Sequence, residues 1–126
     1  VNNAGAATVG TLEQLTEDHS LLNDYIKAKK LTPEEIANFP HKNVIVRALG
    51  MKDTVLVDLT RHVIQAGDVF LSCSDGLSGM VTDDQLLQVV STTPDLGQAT
   101  KTLIDMANKA GGVDNITCIL ARVVSL

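Results

Sequence analysis

Two aspartates stand where apolar stretches of the chain end or begin. Asp75 follows the apolar residues 69–73 in the sequence LSCSDGLSG, and Asp114 precedes another apolar run in GGVDNIT. The end of a strand is a rigid place from which a side chain can point into a cleft. Carboxylate oxygens are the ligands that Mg²⁺ and Mn²⁺ prefer. We predict that the two strands end side by side and that Asp75 and Asp114 share a metal site.

Glycines flank both aspartates. Gly76 allows a tight turn or the close approach of another backbone, and Gly111 and Gly112 bring the chain around before Asp114. Two adjacent carboxylates repel each other, and one takes up a proton unless a cation lies between them. The alternative is that the aspartates are ordinary turn residues. For either one taken singly, a turn role is the more frequent outcome.

Other polar residues have plainer explanations. The three histidines show no ligand spacing with one another or with the cysteines, and Ser74 has no apparent histidine partner for nucleophilic catalysis. Arg47, between apolar neighbours, would form a structural salt bridge with a buried carboxylate or bind an anion, the salt bridge being favoured. Three acidic residues fit as helix N-terminal charges: Asp83, Asp84 and Asp95.

Strands and helices come in groups, which predicts an α+β domain with an antiparallel sheet and helices packed on it. Periodicity and capping residues predict helices from residue 20, after Thr32, from Thr82 to about residue 91, and from Asp95 to Gly111. Apolar alternation predicts strands over residues 11–16, 54–60 and 69–73, and a last one, NITCILARVV, that is central and covered on both faces. The first ten residues show little pattern.

Composition excludes several classes of protein. The chain has 126 residues, enough for one domain, and a net charge of -5, which argues against nucleic acid and anionic membrane surfaces as partners. No apolar run approaches the roughly 20 residues that span a bilayer, and the N-terminus lacks the pattern of a signal peptide. Cys73 and Cys118 fit reduced core thiols rather than a disulfide or a zinc pair, so we expect a cytoplasmic protein.

Four stretches together resemble the C-terminal half of bacterial metal-dependent Ser/Thr protein phosphatases of the PP2C (PPM) family. In chain order they are LTEDHS, NVIVRALG, GDVFLSCSDGLSGMVTDDQL and GGVDNITCILARV. The match runs from about Gly10 to the C-terminus. The sequence SDGL alone is a weak signal, whereas GD-x-x-L-x-C-SDGL followed by GG-x-DN-x-T is a specific one.

The resemblance implies a partial α-β-β-α sandwich, with antiparallel sheets flanked by helices. It also implies hydrolysis of phospho-Ser and phospho-Thr in protein substrates by water activated at a two-metal centre of Mn²⁺ or Mg²⁺. By position, Asp75 and Asp114 match two metal aspartates. Gly76 and Asn115 would support them, with Asn115 orienting Asp114. Residues 25–47 look like the mobile flap beside the active site.

The family's N-terminal half is missing from this sequence. That half carries the phosphate-binding arginine, the first acidic ligands and the aspartate that bridges both metals, and VNNAGAATVG stands where a GDSR-type segment belongs. We therefore expect residues 1–126 to be a single partial domain that has no catalytic residue of its own, binds metal weakly and is inactive alone. Exposed apolar surface would favour a homodimer, strand exchange or a missing half on another chain.

A non-catalytic reading stays open. A truncated, inactive phosphatase-like domain could serve as a protein-binding or regulatory module. The arginine and the bridging aspartate upstream in the reading frame would favour the enzyme, and a true start codon near Val1 would favour the module.

Overall fold

The computed structural model describes residues 2–8, 11–19, 21–29, 31–38 and 45–126. Its strands are β1 (Asn2–Thr8), β2 (Thr11–Gln14), β3 (Val69–Ser74) and β4 (Cys118–Arg122), and its helices are α1 (Leu21–Lys29), α2 (Pro33–Ala37), α3 (Asp75–Ser78), α4 (Asp83–Thr92) and α5 (Leu96–Lys109). The chain divides into two compact units. One unit is Glu17–Arg61, and the other joins Asn2–Thr16 to His62–Leu126.

The second unit is built on an antiparallel sheet of four strands in the order β2-β1-β3-β4. The α+β prediction is confirmed, because this sheet carries helices α3, α4 and α5. Strand β1 was not predicted, although it pairs with β2 on one side and with β3 on the other. Its sequence, NNAGAAT, has one β-branched residue, Thr8, and no aromatic residue, so it carries little of the composition that marks a strand. Pairing with two neighbours, rather than local propensity, therefore sets its conformation.

The core lies between β3 and the helices. Alternate residues of β3 are buried, and they pack with α3, α4 and α5 through Leu71, Cys73, Leu77, Val81, Leu86, Leu103 and Ala107. The predicted capping residues are confirmed: Thr82 and Gln85 form a reciprocal capping box, and Asp95 Oδ1 accepts from the Gln98 N–H at 3.1 Å. Within the described ranges, no helix has the length and hydropathy needed to cross a membrane.

The prediction that the last strand is central and covered on both faces is wrong. Strand β4 lies at the edge of the sheet, beside β3 alone among the described strands. Leu120 packs toward the helices, whereas Ile119 is 61% exposed on the other face. The apolar residues do form strand β4, but the described chain covers only one face of that strand.

The first unit contains α1, α2 and the segment that follows residue 44. Thr32 caps α2 as predicted, because its Oγ1 accepts from the Glu35 N–H at 3.2 Å. The predicted half-buried strand over residues 54–60 is wrong: these residues form no strand, and Leu59 is 92% exposed. A strand needs a partner and an apolar surface to cover it, and the described chain offers neither to this segment. Two parts of the predicted flap, residue 30 and residues 39–44, lie outside the described residues.

Candidate metal centre

Asp75 lies at the junction of β3 and α3. It is the residue after Ser74, the last of β3, and its carbonyl accepts from the Gly79 N–H at 2.8 Å, which closes the single turn of α3. Because β3 and β4 are antiparallel and Cys73 lies opposite Cys118, the end of β3 is beside the start of β4. The predicted side-by-side strand ends are therefore confirmed, although β4 begins at Cys118 rather than at Asn115.

The hydroxyl of Ser74 fastens the two chain segments together. Its Oγ donates to the Asn115 carbonyl at 2.8 Å and accepts from the Thr117 N–H at 3.0 Å. The Ser74 N–H also donates to the Thr117 carbonyl at 3.0 Å. Three hydrogen bonds thus hold the backbone beside Asp114 against the residue before Asp75. The donor of the Ser74 hydroxyl and one of its acceptor sites serve this structural role.

At Gly76 the two backbones lie close together. A Cβ atom built on Gly76 would lie 2.1 Å from the Asn115 carbonyl oxygen and 2.8 Å from the carbonyl carbon. No side chain fits into that space, since both neighbours are backbone atoms. The close approach that the sequence suggested for Gly76 is confirmed, and it is made with the residue next to Asp114.

Asp114 is oriented by its neighbour's main chain. The Asn115 N–H donates to Asp114 Oδ1 at 2.7 Å, so Asn115 acts through its backbone amide. The turn before Asp114 needs two glycines, because Gly111 and Gly112 have φ values of 136° and 55°. Asp75 and Asp114 are both exposed to solvent, so an ion from solution can reach either carboxylate.

The donor set suits a hard cation but is small. Two carboxylates are the oxygen ligands that Mn²⁺ and Mg²⁺ take, and their backbone supports are in place. Within the part of the chain that the structure describes, no group of three or more His, Cys, Asp or Glu side chains could hold a metal ion. These residues therefore fit part of a metal site.

A separate polar cluster lies in the first unit. Asp58 accepts from His19 Nε2 at 2.8 Å and from Arg47 at 2.9 Å, and Arg47 also donates to the Leu56 carbonyl at 3.3 Å. The hydrogen bond from His19, followed by that from Arg47, lowers the pKa of the Asp58 carboxyl. The predicted salt bridge of Arg47 is confirmed, but its carboxylate is half-exposed rather than buried. The sequence does not single out Asp58, because the apolar alternation around it predicts a strand.

Comparison with known proteins places bacterial protein phosphatases among the relatives of this chain. No family model matches the chain. Protein phosphatase PhpP of Streptococcus pneumoniae is 43% identical over 107 residues, which are 85% of this chain and 44% of the relative. The serine/threonine phosphatase stp of Listeria monocytogenes is 38% identical over 111 residues, which are 88% of this chain and 44% of that protein.

Solved structures agree with the sequence relatives. The serine/threonine phosphatase of S. agalactiae has a TM-score of 0.89 at 36% identity, over 96% of this chain and 50% of that one. The catalytic domain of the phosphatase PstP in complex with two manganese ions has a TM-score of 0.81 at 32% identity, over 98% of this chain and 50% of that one. The chain spans about half the length of the relatives it matches. The resemblance to half of a bacterial PP2C-type Ser/Thr phosphatase is confirmed in sequence and in fold.

Proposed function

We propose that this chain is the C-terminal half of a PP2C (PPM) metal-dependent protein phosphatase that hydrolyses phosphoserine and phosphothreonine in protein substrates. One observation carries the proposal: Asp75 and Asp114 stand on two backbone segments that Ser74 and Gly76 hold together, in a chain similar to such phosphatases along most of its length. Turn residues need no such clamp, whereas ligands of one ion must be held together.

Each residue of the centre has a defined task. Asp75 and Asp114 would hold Mn²⁺ or Mg²⁺ through carboxylate oxygens. When bound, the metal supplies a Lewis acid and an activated water. The Asn115 N–H fixes one oxygen of Asp114, Ser74 keeps the two segments in register, and Gly76 admits the Asn115 carbonyl. The chain's own contribution is thus two negative charges on backbone segments that hydrogen bonds hold together.

Metal binding by the isolated chain should be weak, because two carboxylates do not complete a two-metal site. We expect calorimetric titration with Mn²⁺ to give an affinity weaker than about 1 μM, and Asp75→Asn to weaken it further, since one charged ligand is lost. Asp84→Asn, which removes a charge at the start of α4, is the matched control and should leave the titration unchanged. Two sites of micromolar affinity or better would contradict the partial-site interpretation.

The proposal also covers the binding partners of the chain and its location in the cell. Phosphorylated proteins are the substrates, and residues 25–47 act as a flap that helps select them, within one partial domain of residues 1–126. The missing half of the site lies on another chain or segment, or the chain compensates by dimerisation or strand exchange through its exposed apolar surface. A cytosolic location is supported by the low cysteine content, because two cysteines without paired spacing do not make the disulfide framework of a secreted domain.

Complementation tests the function. The part of the pneumococcal phosphatase that this chain does not match would be mixed with this chain, and hydrolysis of p-nitrophenyl phosphate and of a phosphothreonine peptide would be measured with and without Mn²⁺. We expect Mn²⁺-dependent turnover by the mixture, none by either part alone, and loss of turnover with Asp75→Asn. The two halves of the pneumococcal enzyme serve as the positive control. If they complement each other while this chain does not, the proposal is wrong.

A second candidate is a non-catalytic, phosphatase-like binding module. It is favoured by one observation: the described residues offer two carboxylates and no third ligand side chain beside them. In the complementation experiment a module would bind the other half without turnover at any Mn²⁺ concentration. Binding and turnover measured on the same mixture therefore separate the two candidates.

A further inference from the structure

Cys73 and Cys118 lie directly opposite each other on β3 and β4. In an antiparallel ladder, hydrogen-bonded and non-hydrogen-bonded pairs alternate. The Ser74 N–H donates to the Thr117 carbonyl, so the adjacent pair, Cys73 and Cys118, is a non-hydrogen-bonded one. At such a pair the Cα atoms are about 4.5 Å apart and the side chains lie closest.

This geometry suits a disulfide. Disulfide-bonded cysteines have Cα atoms roughly 4.4–6.8 Å apart and Cβ atoms about 3.8 Å apart. Residues that are opposite in a sheet project from the same face, and here it is the face that packs with Leu71 and Leu77 under the helices. The pair is therefore complete within the second unit and does not depend on what covers the other face of the sheet.

The two thiols differ in access. Both are free in the structure; Cys73 is only 4% exposed, whereas Cys118, on the edge strand, is partly open to solvent. A small oxidant reaches Cys118 first, and Cys73 is in place to resolve the product. Burial raises the pKa of the Cys118 thiol to about 11, so the reaction is slow at neutral pH, since the thiolate is the reactive form.

We propose that Cys73 and Cys118 form a reversible intrachain disulfide with a low-molecular-weight disulfide, such as oxidised glutathione, as the co-reactant. The Cys118 sulfur attacks one glutathione sulfur and releases one reduced glutathione. The Cys73 sulfur then attacks Cys118 in the mixed disulfide and releases the second. The protein loses two thiol protons and two electrons, and the oxidised glutathione gains both. The site goes beyond the proposed function and does not rest on it.

The disulfide would link β3 to β4 next to the candidate metal centre. Cys73 is separated from Asp75 only by Ser74, whose hydroxyl already holds the Asp114 side of the site. Oxidation would therefore add a covalent link to a junction that otherwise depends on hydrogen bonds.

An equilibrium measurement tests the proposal without interference from slow kinetics. The full chain, reduced and unfolded in guanidinium chloride, is refolded into buffers with fixed ratios of reduced to oxidised glutathione, and a parallel sample stays in denaturant. Thiols are trapped by acid and alkylation, and the disulfide is counted by mass and located by peptide mapping. We expect the constant for the 73–118 disulfide to be roughly a hundredfold larger in native buffer than in denaturant.

A matched variant controls for chain length. Cys118→Ser combined with Ile119→Cys moves one thiol by a single residue to the opposite face of β4, so the loop in the unfolded chain hardly changes while the native geometry is lost. For this variant, we expect the disulfide constant in native buffer to be no larger than the constant in denaturant. A wild-type constant that is equal in the two buffers or lower in native buffer, glutathione adducts in place of the cross-link, or an equal gain in the shifted variant would each overturn the proposal.

Discussion

At the scale of single residues, the candidate centre depends on an atom that is absent, the Cβ of Gly76. We predict that Gly76→Ala lowers the free energy of unfolding by about 3 kcal/mol. The added methyl would lie 2.1 Å from the Asn115 carbonyl oxygen, and backbone cannot swing away as a side chain can. Urea denaturation followed by circular dichroism measures the loss.

Gly97→Ala is the control for that prediction. A Cβ at Gly97, inside α5, meets only the Asp95 side chain, at 3.2 Å, and alanine favours the helix by up to about 1 kcal/mol. The control should be neutral or stabilising. Equal losses in the two variants would show that Gly76 has no special role.

The thiol of Cys118 predicts a pH dependence of stability. Burial raises its pKa from 9.0 to about 11, so above pH 9 the unfolded chain binds fewer protons than the folded one. The stability that the buried neutral thiol provides is complete below about pH 9 and is lost as the pH rises toward 11. Under reducing conditions, we expect the wild type to lose stability relative to Cys118→Ser over this window.

Every other residue is common to the two proteins, so the difference between them isolates the effect of the Cys118 thiol. Parallel urea titrations at intervals from pH 8 to pH 11 supply it. A difference that stays constant across the window would show that the thiol has its ordinary pKa in the folded chain.

At the scale of elements, capping residues could be assigned from sequence because they act locally. Thr82 predicted the start of α4. Its hydroxyl accepts from the Gln85 N–H at 3.3 Å, and the Gln85 side-chain oxygen accepts from the Thr82 N–H at 3.0 Å. We predict that Thr82→Ala costs about 1 kcal/mol of stability, because a helix N–H loses its partner. Thr82→Ser, which keeps the hydroxyl, should cost much less, and thermal unfolding of both variants compares them directly.

Strands were harder to predict than helices, because a strand is defined by what lies beside it. The residues of β1 carry little strand signal yet pair on both sides, whereas Val55, Val57 and Leu59 alternate as a strand does and form none. The pattern reports which residues could be buried, not whether a neighbour is present.

At the scale of the whole molecule, the sequence predicted the positions of the candidate residues where these depended on local chemistry, while their role as metal ligands stays a prediction. The aspartates, Gly76 and the strand ends were predicted. The clamp formed by the Ser74 hydroxyl on Asn115 and Thr117 was not, because it joins residues far apart in the chain. Only the pairing of β3 with β4, which no single stretch specifies, brings those partners together.

Exposed apolar side chains lead to the last prediction, that the isolated chain self-associates. Leu59 is 92% exposed, Val63 94% and Ile119 61%, and edge strand β4 has backbone groups that can pair with another strand. Burying such surface is favourable by roughly 25 cal/mol per Å². We expect sedimentation velocity to give a mass above that of one chain, rising with protein concentration.

Ile119→Asp should weaken this association, because it places a charge on the outer face of β4, while the helix-covered core stays intact. Ser125→Asp is the matched control, since it adds the same charge without removing apolar surface. If both variants dissociate alike, net charge rather than the face of β4 governs the association. If the wild-type chain is monomeric at all concentrations, its exposed apolar surface does not drive self-association, and the missing half on another polypeptide becomes the better explanation for that surface.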